Sequence, residues 1–199
     1  MHEDKPMAGN AGDGSGGRAS RWSLVIWGGA GLVLLAPLVA MQVSDAMAWT
    51  VFDFASLGAL LGGLALGLEL VVRKTGNTAY RSAAVVALAA AFLLILTNGA
   101  LGVIGSEQEG ANLLYVGVVA VALIGAVMAR FRPAGMARAM SAAALAQALV
   151  PLIVATFGAD SRSLAWSPEV LGLTAFFAAM WLASAWLFRT AAAQEGLKG

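Results

Sequence analysis

Few residues in this chain could do chemistry, and most of them are carboxylates and amides set among aliphatic neighbours. Glu107 and Glu109 stand two apart in GVIGSEQEGANLLY, residues 102–115, a spacing at which two acids can share a proton or a cation. Glu69 lies inside an apolar run, one helical turn before Arg73. An ionisable group in that position either pairs with the arginine and reaches toward water, or serves as a proton or cation ligand. Gln147 is the deepest polar side chain, and four residues later Pro151 has no N–H for the carbonyl of residue 147. An amide and a freed carbonyl at one level suit a broken-helix site near the middle of a bilayer; the plainer reading is a hydrogen bond to a neighbouring helix. Asn98, with Thr97, Asn112 and Thr156, would line the mouth of an outward vestibule if their helices adjoin. Gln147, Pro151, Asn98 and Glu69 form the candidate polar pathway.

Catalysis lacks its usual parts. The chain has no cysteine, and its single histidine is His2, in the N-terminal tail. Thiolate nucleophiles, histidine bases, cysteine or histidine metal sites and catalytic triads are thereby excluded, and no catalytic, metal or cofactor site is expected. The protein reads as a non-enzyme.

The elements that must position these residues follow from composition. Of 199 residues, 60% are hydrophobic and 12% charged, against about 25% charged in soluble domains. Apolar runs near 22–43, 51–72, 82–104, 111–129, 136–157 and 169–188 each meet the ~20 residues that a helix needs to cross the hydrocarbon. They lack the alternation of barrel strands. The expected fold is therefore all-α, a polytopic transmembrane bundle of six helices, with residues 1–20 a disordered tail, 21–190 the membrane domain and 191–199 a short tail. A signal peptide cleaved after Ala48, in DAMA, is the rival for the first run, but that run is long for a signal core.

Eleven of the twelve Lys and Arg residues fall in the two tails or after helices 2 and 4; Arg162 alone lies on the other side. The positive-inside rule then puts both termini in the cytoplasm. The scattered basic groups form no stripe for nucleic acid. At the outer ends Thr50 with Asp53, Ser106 with Glu109, and Ser167 with Pro168 and Glu169 read as helix N-caps. This makes Glu109 a capping acid and Glu107 a solvated loop charge. The six tryptophans are expected to face lipid or the headgroups.

Helix 2 carries Gly58-x-x-x-Gly62 and Gly63-x-x-x-Gly67 in tandem, and Ala55, Gly58, Gly62, Ala65 and Glu69 share one stripe. Small residues let helix backbones approach, so these glycines are the expected packing surface, toward other membrane helices or a second copy. A shift of 59 residues aligns Ser23, Ser82 and Ser141 and lays helix 3 over helix 5, which suggests three parallel hairpins. At WTVFDF, RKTGNTAYR and NGALGVIGSEQEGANLLY the chain resembles a group of small, uncharacterised bacterial inner-membrane proteins, from helix 1 to helix 5. The resemblance implies a multi-pass bacterial inner-membrane protein in contact with lipid, and carries no activity. Two functions remain: a structural or accessory membrane component, or a small-solute or ion pathway through the polar residues above.

Overall fold

A computed structural model of the chain describes residues 14–43, 49–100, 103–104, 110–157 and 163–197. Every regular element among them is helical: α1 Gly14–Val43, α2 Val51–Lys74, α3 Thr78–Ala100, α4 Leu113–Met128, α5 Pro133–Phe157 and α6 Pro168–Gly196. Short 3₁₀ turns, Gly110–Asn112 and Leu164–Trp166, lead into α4 and α6. All six helices are long and apolar enough to cross a membrane, so the chain is a multi-pass membrane protein. Helix α1 begins at Gly14, ahead of the tail boundary expected at residue 20. The third helix ends at Ala100, so Val103 and Ile104, expected inside that span, belong to the connection that follows.

The starts of α2 and α6 follow from their sequence. The Thr50 backbone N–H donates to Asp53 Oδ2 at 2.7 Å while the Asp53 N–H donates to Thr50 Oγ1 at 3.3 Å, a reciprocal capping box that works with aspartate. Ser167 Oγ accepts from the Val170 N–H at 3.3 Å, with Pro168 in the first turn. The cap expected from Ser106 and Glu109, and Glu107 beside it, lie outside the described residues.

The chain divides into two compact units, residues 1–73 and 74–199. In the second, α6 packs on both α3 and α5, and α4 packs on α5. The buried residues of α6 include Val170, Thr174, Phe177, Trp181, Ser184, Phe188 and Ala191, with Ala185 beside this row. Those of α5 include Met136, Met140, Ala143, Gln147, Val150 and Val154. Both series alternate steps of four and three, the heptad spacing of left-handed helix pairs. Between apolar helices in lipid the gain comes from close van der Waals contact rather than from expelling water. Hydrogen bonds fix the register. Ser184 Oγ donates to the Ala83 carbonyl at 2.8 Å, and Arg189 Nη2 reaches Ser141 Oγ at 3.5 Å.

Helices α4 and α5 approach so closely that a Cβ on Gly125 would stand 2.7 Å from Ala139 Cβ, and one on Gly135 would stand 2.6 Å from Ala129 Cβ. The turn between them holds Arg130 (φ 50°) and Phe131 (φ 57°) in the left-handed region, at about 1–3 kcal/mol each. Phe131 N–H donates to the Ala126 carbonyl at 3.1 Å, and the Tyr80 hydroxyl to the Phe131 carbonyl at 2.8 Å. Lys74 Nζ lies 5.2 Å from the centre of the Phe131 ring. These contacts hold the turn in its strained form.

Ala139 meets Gly125 with its Cβ and backbone and cannot swing aside. Gly125→Ala is expected to cost about 1–3 kcal/mol in reversible unfolding in mixed micelles. Gly117→Ala, where a Cβ meets nothing within 4 Å, is the matched control and should cost nothing, with a gain of up to about 1 kcal/mol from the higher helix propensity of alanine.

Candidate functional site

Polar side chains gather at three places. The first is in the unit formed by α1 and α2. Ser23 and Trp27 lie one turn apart on α1, and Glu69 and Arg73 one turn apart on α2. Glu69 Oε1 accepts from the Ser23 hydroxyl and from Arg73 Nη2, both at 2.6 Å, and Oε2 accepts from Trp27 Nε1 at 2.8 Å. The expected Glu69–Arg73 ion pair is present. Ser23 and Trp27 were not foreseen, because nothing in a sequence shows which residues 46 and 42 positions away a side chain will meet. A hydroxyl against a carboxylate is the arrangement of a nucleophile and its base. Here, though, the carboxylate already holds an indole and a guanidinium, which makes it a clamp between helices. Farther along the pair, the Cβ position of Gly58 lies 3.9 Å from Leu34, and Ala65 is buried.

The second place is the α5–α6 seam. Gln147 is 0% exposed, and both atoms of its amide lack a hydrogen-bond partner among the described residues. The hydrogen bond expected to a neighbouring helix is absent there. Pro151, also buried, sits inside a helix that continues to Phe157. Counting from the Ser141–Arg189 contact along two antiparallel helices, Gln147 stands within a turn of Trp181. The Trp181 indole N–H is buried and likewise unpartnered among the described residues. A side chain with no exposed surface has no water-sized space beside it, so this level of the seam is dry. Trp181, at 1% exposure, corrects the expectation that all tryptophans face outward: the heptad places it on the covered face of α6. Its spacing from Phe177 and Phe188 was the available signal.

The third place is where the C-terminal end of α3 meets the start of α4. Asn112 Oδ1 accepts from the backbone N–H groups of Val103 (3.1 Å) and Ile104 (2.9 Å). Its Nδ2 donates to the Ile104 carbonyl at 3.3 Å. Asn98 Nδ2 donates to the Asn112 carbonyl at 3.1 Å. One amide thus supplies the partners of a short irregular segment, and Val103 and Ile104 are buried at 4% and 0% exposure. Asn98 and Asn112 do meet, but they hold this segment in place. Thr156 turns its hydroxyl to the Leu152 carbonyl of its own helix, at 2.8 Å.

Of the four pathway residues, Glu69 lies in the first unit and Asn98, Gln147 and Pro151 in the second; within the second, Asn98 lies near the end of α3 and Gln147 with Pro151 on the buried face of α5. Of the packing glycines, Gly58 faces α1, while a Cβ on Gly62 or Gly63 would meet nothing within 4 Å. Gly67 is half-buried. Among the described residues the tightest glycine contacts are those of Gly125 and Gly135. Among the described residues no group of three His, Cys, Asp or Glu side chains could hold a metal ion. Comparison with protein-family models finds no match, and comparisons with curated proteins and with solved structures find none either.

Asn112→Ala removes the acceptor of two buried N–H groups and is expected to destabilise by about 2–4 kcal/mol, read as a lower midpoint in mixed-micelle unfolding. Gln147→Leu has the opposite sign. It replaces an unpartnered amide by an apolar group of similar size and should raise stability by about 1–3 kcal/mol. A loss would mean that the amide is engaged in the folded protein.

Proposed function

We propose that this chain is a structural or accessory component of a bacterial inner membrane, with both termini cytoplasmic and without catalytic activity. It would work by presenting helix surfaces to another membrane protein. The observation that carries this reading is the contrast between the two units. The α3, α4, α5 and α6 spans are 22%, 33%, 39% and 33% buried within the protein, whereas those of α1 and α2 are 6% and 11% buried. The glycine row of α2 is open at Gly62 and Gly63, and a surface of that kind admits a partner backbone at close range.

A second reading, a small-solute or ion pathway, draws on the unpartnered polar atoms of Gln147 and Trp181 in mid-span beside Pro151. It requires the dry seam to open.

Purification from native membranes in a mild detergent should recover a reproducible partner, and Gly62→Leu should lose it while the protein still folds. A lone monomer in both cases overturns the accessory reading. In proteoliposomes the accessory reading expects no solute or ion flux above empty vesicles. Flux that Gln147→Leu abolishes, with the folded yield unchanged, would establish the pathway in its place.

A further inference from the structure

The Glu69 clamp leaves a notch between α1 and α2, lined by Trp22, Ser23, Ile26, Glu69, Val72 and Arg73, with a volume of about 40 Å³. We propose that this notch is a binding site for an anionic phospholipid with an uncharged headgroup of the phosphatidylglycerol type, and that Arg73 holds its phosphate.

Arg73 is oriented without being used up. Its Nη2 is held by Glu69 at 2.6 Å, and Glu69 is itself fixed by Ser23 and Trp27, so the guanidinium plane does not swing freely. Its Nε and Nη1 have no recorded acceptor among the described residues, and the side chain is 62% exposed. Guanidinium N–H groups in a fixed fork match the oxygens of a phosphate.

The walls select among phosphates. Trp22, Ile26 and Val72 present carbon, and the space is on the order of one water or methylene group. The phosphate therefore sits on the guanidinium outside the notch, and a segment of glycerol or acyl chain enters it. Free phosphate gains nothing from such walls. Both oxygens of Glu69 are engaged, so the site offers little to the ammonium of an ethanolamine or choline headgroup. Its level fits as well: Arg73 stands at the end of the α2 span, and Trp22, 54% exposed, is a side chain suited to the headgroup layer.

The test uses the full-length protein in a non-ionic detergent titrated with phosphatidylglycerol, with bound lipid counted by native mass spectrometry. Arg73→Gln should lower lipid retention about tenfold, the loss expected for charge-assisted hydrogen bonds. Val72→Phe, which fills the notch and leaves every charge in place, should lower it similarly. Arg132→Gln, which removes an exposed arginine from the α4–α5 turn, should leave it unchanged, and inorganic phosphate should not displace the lipid. Wild-type retention by Val72→Phe overturns the proposal even where Arg73→Gln fails to fold. An equal loss in Arg132→Gln overturns it in favour of general charge attraction, and displacement by inorganic phosphate overturns the lipid in favour of a plain anion site.

Discussion

A polar atom inside hydrocarbon keeps whatever partner the chain provides, because no water is there to replace it. Much of what is specific in this protein follows from that constraint. Asn112 can hold an irregular segment because its one amide answers two N–H groups and a carbonyl. Ser141, Thr156 and Thr190 turn their hydroxyls to carbonyls of their own helices, whereas Ser184 reaches α3 and so ties two helices. Glu69 is tolerable within α2 because three donors surround it. Among the described residues the departures are Asn98 Oδ1, the Gln147 amide and the Trp181 indole N–H, the last two on the facing buried rows of α5 and α6.

The same medium explains why the two units are built differently. Lipid tails are as apolar as leucine, so an aliphatic helix gains little by covering its face with another. What draws α3 to α6 together is shape: heptad rows, alanines and Gly125, which allow backbones near enough for many weak contacts. Helix α1 is leucine- and valine-rich on its exposed positions, and among the described residues the Glu69 hydrogen bonds and the contact of Leu34 with Gly58 tie it to α2. In that pair polar bonds do what close packing does in the other unit.

How much was legible in the sequence follows from the range of each interaction. Span number and helical class depend on length and hydropathy, which are local sums, and all six helices were readable. The caps at Thr50 and Ser167 were readable because their partners lie three residues away. The ion pair at Glu69 was readable at one helical turn, but Ser23 and Trp27 were not, since interhelical register is set by the whole packing. The end of α3 was misplaced because Val103 and Ile104 look like membrane residues, and only the distant Asn112 explains why they leave the helix. Glycine patterns pointed to α2 because motifs advertise themselves there. The tightest glycine contacts among the described residues are those of Gly125 and Gly135, which stand opposite Ala139 and Ala129, alanines that no motif marks.

The strained link between α4 and α5 bears on how the protein reaches its membrane. Only Ala129 to Arg132 separate Met128 from Pro133, too little chain for either helix to settle apart from the other. The two spans therefore form one helical hairpin. The left-handed bend at Arg130 and Phe131 thereby couples the placement of one span in the membrane to that of the other.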